Sequence, residues 1–333
     1  SNQLTSLDVS SNTALTQLWC NNNSLTSLDV SSNTALTNLN CGNNQLTSLD
    51  LSANTALNTL VCHDNQLTSL DVSANTALGS FECTANQITA LDLSNNTELS
   101  WFKCGGNQLT TLDVSANTAL TILEFYGNQL TSIDLSNNTA LTNLNCWSNS
   151  LTSLDVSSNT ALTDLYCYQN ELTSLDVSSN TALTKLVCGF NQLTTLDVSN
   201  NTYLNWLDCR ENQLTSIDLV NNTNLNSFEG HGNPFGSLDV SANTSLTNFE
   251  CNECQLIYLN IKNGIYYTGL SAYSNPDLTC IEVLDPDWFT ANSIGWNIQS
   301  GVTFDVICGA EARTHWYVAT TGSDVSGSGT EAS

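Results

Sequence analysis

Apolar residues recur along this chain in short alternating groups separated by polar turns. In residues 4–24, Leu7 and Val9 flank Asp8, and Leu18 and Cys20 flank Trp19. Apolar–polar–apolar alternation is the period of a strand with one buried face. Each group runs into an asparagine, Asn12 after the first and Asn23 after the second. Asparagine tolerates unusual backbone angles, and its amide bonds a turn's own backbone, so the two columns predict the edges where the chain reverses. The whole unit repeats every 21 residues: Asp8 returns as Asp29, Asp50, Asp71, Asp92, Asp113, Asp134, Asp155, Asp176, Asp197, Asp218 and Asp239. An unbroken column of this kind predicts a solenoid whose coils bury their apolar sides only by stacking. About twelve coils are expected, each with two short parallel strands. Helix is not expected in the coils, whose segments are short and rich in Thr, Ser, Asn and Val. Such a stack has no deep cleft, so function belongs on its long faces.

The paired halves, L-x-x-L-x-C-x-x-N and L-x-x-L-D-V-x-x-N, resemble the 21-residue bacterial leucine-rich repeats of the IRREKO type. The resemblance covers residues 2 to about 262. It implies a mostly β, right-handed leucine-rich-repeat solenoid in a secreted or cell-surface protein, acting as a recognition module and not as an enzyme. Which of the two sheets is concave stays open at this stage.

The register decays after residue 262, where Asn260 already stands in the Asp column and Cys254 in an Asn column. Residues 263–310 are expected to form a C-terminal cap. Asp285 and Pro286 read as an N-cap and first helical position, and Trp288, Phe289, Trp296 and Phe304 are placed to cover the open core. Residues 311–333 are expected to open a following domain, because Trp316 to Asp324 resembles the first strand of pectate-lyase-type parallel β-helices. Asn2 is already in register with Asn23, so a longer parent chain is expected.

Composition narrows the partners. Five basic residues stand against 31 acidic ones, a net charge of −26. That charge repels phosphate backbones and anionic membranes, which argues against a nucleic-acid role, and no apolar run suggests membrane insertion. A monomer is expected. Ten of the thirteen cysteines form one inward column in which Phe125 and Gly230 replace the other two. In-register strands lie about 4.8 Å apart, wider than the roughly 3.8 Å between Cβ atoms that a disulfide favours. The column is therefore expected to hold small apolar core residues. Cys280 and Cys308 lie outside it, in the cap. They are expected to pair, a bond that also fits a compartment outside the cytoplasm. Cys254 is left over as a free thiol.

No catalytic constellation is present: His63, His231 and His315 have no paired nucleophile and no metal-ligand spacing. The Asp column brings like charges together, and neighbouring Thr and Ser hydroxyls would offset their repulsion. No cofactor is expected, the alternative being calcium at Asp113, Asp134 and Asp155. The strand opposite the Asp column varies, and it gathers Trp19, Trp101, Lys103, Tyr126, Trp147, Tyr166, Tyr168, Lys185, Phe190, Trp206 and Arg210. Exposed Trp and Tyr clusters favour recognition. This strip is the expected ligand-binding face, continuous and exposed, taking a polysaccharide or a protein surface. The rival reading is a structural spacer that only sets distance.

Overall fold

In every coil the triplet with Cys or its substitute behind it forms a strand. Thirteen such strands, from Gln17–Trp19 to Gly269–Ser271, pair in parallel as one sheet. Register advances 21 residues per step, as in Leu18↔Leu39 and Phe102↔Leu123. At ordinary parallel spacing, thirteen strands give a rod about 58 Å long. The thirteenth lies inside the segment that the sequence assigns to the cap. The computed structural model describes residues 2–265, 269–293 and 296–308. Arg313, His315 and the β-helix-like tail lie outside these residues.

Stacking drives the core. Leu39, Leu60, Phe102, Leu123 and Leu144 each occupy the middle of a strand and are fully buried, with Phe81 and Phe102 stacked at 5.3 Å. The ten column cysteines are buried free thiols. Burial pushes Cys20 up to about 11 and Cys146 up to about 12, which keeps both neutral. Gly230 takes a place in this column because the Phe228 and Phe235 rings fill the space a Cβ would need.

The two asparagine columns are hydrogen-bonded ladders. Asn54 donates through Nδ2 to the carbonyls of Val30 and Asn33 in the preceding coil, at 3.0 and 2.9 Å. Asn107 donates to Cys83, Cys104 and Gly105, while its Oδ1 accepts the Ile88 N–H at 3.0 Å. The reversal itself sits one residue earlier. Thirteen residues spaced 21 apart, from Asn22 to Ser274, all have φ between 49° and 70°. Ala85, Gln169, Phe190 and Glu211 hold this left-handed geometry without being glycine, which the surrounding ladder must impose.

The second sheet differs from expectation. Over the first eleven coils the Leu-Asp-Val segments are not hydrogen-bonded to each other as strands. Their backbone groups are already spent: Val30 O takes the Asn33 N–H and the Asn54 amide, and Ser31 N donates to Asp29. A four-stranded sheet appears there only at Ser237–Asp239, Tyr258–Asn260, Cys280–Glu282 and Thr303–Asp305.

The cap contains the helix Pro286–Asn292, with the Asp285 carboxylate accepting the Trp288 N–H at 3.0 Å. Phe289 is buried against Trp296 and Phe304, with centroids 5.4 and 5.7 Å away. Cys280 and Cys308 are disulfide-bonded. A loop of this length adds about 3 kcal/mol in the chain-entropy account.

Candidate binding face

Each coil presents three outward side chains on the varied sheet: the two flanking the buried strand centre and one two residues farther on. This third column carries the longest aromatic run. Tyr126, Trp147 and Tyr168 stack face to face, with centroids 4.9 and 5.1 Å apart and planes within 10°. The rings lean back toward the preceding coil. Tyr126 covers Gly105, where a Cβ would stand 2.6 Å from its ring; His63 covers Gly42 in the same way, and Arg210 covers Gly189.

Basic side chains lie on ring faces. Lys103 Nζ is 4.7 Å from the Trp101 ring and pairs with Glu124 at 2.9 Å. Lys185 Nζ sits between Trp206 at 4.6 Å and Tyr166 at 5.7 Å. Among the described residues, no carboxylate lies within ion-pair distance of Lys185, while Lys103, Arg210 and Lys262 are all paired. Arg210 bridges Asp208 at 3.2 Å and Glu229 at 3.3 Å and lies 5.5 Å from the Phe190 ring.

Asp208 is only 2% exposed. Burial pushes its carboxyl up to about 6 against the pull of Arg210, and burial raises Glu229 as well. The Asp column is built differently. Each of its twelve carboxylates accepts the N–H of the residue two positions on, as in Asp113 with Ser115 at 2.9 Å. The Ser115 hydroxyl and N–H hold Asp113 below the usual carboxylate range, and the Ser136 N–H and hydroxyl do the same for Asp134, with only a minor opposing push from neighbouring aspartates. The serine two positions on, through its hydroxyl and its N–H, and not a threonine hydroxyl, thus stabilises the ladder. Among the described residues, no three of His, Cys, Asp and Glu gather closely enough to hold a metal ion.

These signs predict a stability maximum. A raised folded-state value means the fold holds the proton more tightly, so the Asp208 contribution is full below about 3.8 and lost as pH rises through about 6. The lowered values from Asp8 to Asp197 give stability that is present above the usual carboxylate range and lost as pH falls through the folded values. The melting temperature should therefore peak between about pH 4 and pH 5. Asp208→Asn should flatten only the limb above the peak; an unchanged limb in a thermal scan against pH would refute the assignment.

The functional domain of InlJ from Listeria monocytogenes, described as including a cysteine ladder, matches this chain at 35% identity and a TM-score of 0.79. The match covers 86% of this chain and 69% of that one. The chain belongs to the leucine-rich-repeat proteins. A leucine-rich-repeat protein of Leptospira interrogans aligns at 24% identity and TM-score 0.66, over 70% of this chain and 65% of its own. The internalin InlF of Listeria monocytogenes aligns at 24% and 0.61, over 73% and 82%. These two show the shared fold. No family model matches the chain, and the search of curated proteins returns no match.

On this leucine-rich-repeat scaffold the expected strip resolves into clusters. Trp101 joins Lys103; Tyr126, Trp147 and Tyr168 form the stack; Tyr166, Lys185 and Trp206 form a second group, beside Phe190 with Arg210. Trp19 stands apart on the first strand, 72% exposed. Most rings of the strip are half-buried, with Phe190 at 43% and Trp206 at 38% the more open of its members between Trp101 and Arg210. Sequence reading missed Asp208 and Glu229, which look like ordinary surface acids until the fold buries them under Arg210. It also missed Gly105 and Gly189, although a glycine 21 residues before Tyr126 or Arg210 is a readable signal.

Proposed function

We propose that this leucine-rich-repeat chain is a non-enzymatic recognition module that acts outside the cell and binds a protein partner through the varied sheet between Trp101 and Arg210. The observation that carries the reading is that the ring faces are occupied. A sugar platform needs open aromatic faces. Trp147 has a ring stacked on each face, Tyr126 rests on Gly105, and Trp101 and Trp206 carry lysine ammonium groups. What remains available is a mosaic of ring edges, paired charges and one lysine without an acid, the kind of surface that matches another protein's side chains. Lys185 is the position where the partner would present a carboxylate. The likeness to internalin domains and the cap disulfide support the same reading.

The test pairs a glycan array with an interaction screen against surface and secreted proteins, both on the intact chain. A photo-crosslinking residue at Asn145 should label a saturable protein partner, and one at Ser157 on the Asp face should not. Glycan binding lost in Trp147→Ala would replace the protein reading with the polysaccharide one. Absence of saturable binding in both screens would leave the spacer.

A further inference from the structure

We infer that Cys251 and Cys254 form a second disulfide, a redox staple at the junction between the uniform coils and the cap. Their sulfurs lie 2.7 Å apart, well inside the separation of two non-bonded sulfur atoms and close to a bond of about 2.05 Å. Both residues are fully buried. The column cysteines of neighbouring coils, by contrast, stand a full coil apart.

The position of Cys254 gives an independent reason. In the eleven preceding coils this place holds an asparagine, whose amide satisfies carbonyls of its own and the preceding coil. Asn233, for example, donates to Cys209 O at 2.9 Å and Gly230 O at 3.0 Å, and accepts the Leu214 N–H. Cys254 faces the equivalent carbonyls with its sulfur, 3.4 Å from Gly230 O and 3.3 Å from Asn252 O. A thiol is a weak donor with one hydrogen and cannot replace a two-hydrogen amide. The residue that would have donated to the missing Oδ1 has also changed partner: Phe235 N now bonds Asn233 O at 2.9 Å. This coil, the one in which the asparagine is lost to a cysteine, also carries a column cysteine three residues earlier. The pair therefore exchanges a ladder rung for a covalent one. The rung is replaced where Ser237–Asp239 begins the second sheet, so the coil is closed at the point where the regular ladder is interrupted.

The chemistry balances by exchange with a low-molecular-weight disulfide such as oxidised glutathione. One cysteine thiolate attacks it and releases one thiol; the second displaces the other thiol as the Cys251–Cys254 bond forms. Two electrons pass to the small disulfide, and both protein protons leave with its thiols. Because both sulfurs are buried in the finished fold, the exchange takes place before the twelfth coil is covered. Once formed, the bond is shielded.

The experiment is alkylation of the intact chain, unfolded without reductant after purification from an oxidising compartment, followed by mass spectrometry. Thirteen cysteines with two disulfides leave nine alkylated thiols, and a peptide linking Cys251 to Cys254 should be recovered. Cys254→Asn, which restores the ladder residue, should give ten alkylated thiols, including Cys251. Eleven alkylated thiols in the wild type with Cys251 and Cys254 both modified, or either one linked to a different cysteine, would overturn the assignment.

Discussion

Asn107→Ala should cost about 2 kcal/mol or more, because the buried Ile88 N–H loses its partner, worth roughly 1–3 kcal/mol, and the carbonyls of Cys83, Cys104 and Gly105 each fall back on one remaining donor, from Asn86, Asn128 and the Ala85 N–H. The side chain donates to Cys83, Cys104 and Gly105 and accepts from Ile88, so the substitution damages two adjacent coils at once. Solenoid stability is close to a sum of units and nearest-neighbour interfaces. Loss at this central rung should therefore split one cooperative transition into two. Calorimetry of the variant checks this, with Asp113→Ala as the comparison: that carboxylate is exposed and serves only Ser115 of its own coil. Equal destabilisation by the two changes would refute the ladder as the main clamp between coils.

Trp147→Ala should weaken partner binding at least 30-fold, the equivalent of about 2 kcal/mol for truncating an aromatic anchor. Trp206→Ala should do the same at the second cluster, and there Lys185→Ala should remove the charge component and reduce the salt dependence of binding. Unlike a fully outward ring, Trp147 also stabilises the fold, because it makes two stacked contacts worth about 0.5–1.5 kcal/mol each. A fall in melting temperature of a few degrees is therefore expected. Thr152→Ala and Ser153→Ala, on the uniform face, are the matched controls and should bind as wild type. Normal binding by both tryptophan variants, measured by surface plasmon resonance, would sink the recognition face.

Much of the fold is legible in residue types alone. The 21-residue recurrence of Asp8 and the alternation at Leu18 and Cys20 contain the stack, the buried face and the register, because each follows from local spacing. The N-cap at Asp285 is legible for the same reason. Other features depend on what a neighbour does. Leu28 to Val30 has the pattern of a strand, yet its ladder groups are consumed by Asp29 and by an asparagine one coil on. The left-handed turn is hidden because Phe190, Gln169 and Glu211 are poor indicators of positive φ. The candidate face was half legible: its residue types marked the right strand, but their grouping depends on which ring leans on which coil.

That lean constrains how such a chain can change by duplication. Repeat proteins grow and shrink by exchanging units, and here the unit for stacking is 21 residues. The unit for the face is larger, because Tyr126 needs the bare backbone of Gly105, and Arg210 needs that of Gly189. A single coil moved to a new site would bring its ring without its seat, and the ring would collide with whatever Cβ lay beneath. Interior coils can be copied one at a time, whereas the face is inherited only in blocks of neighbouring coils.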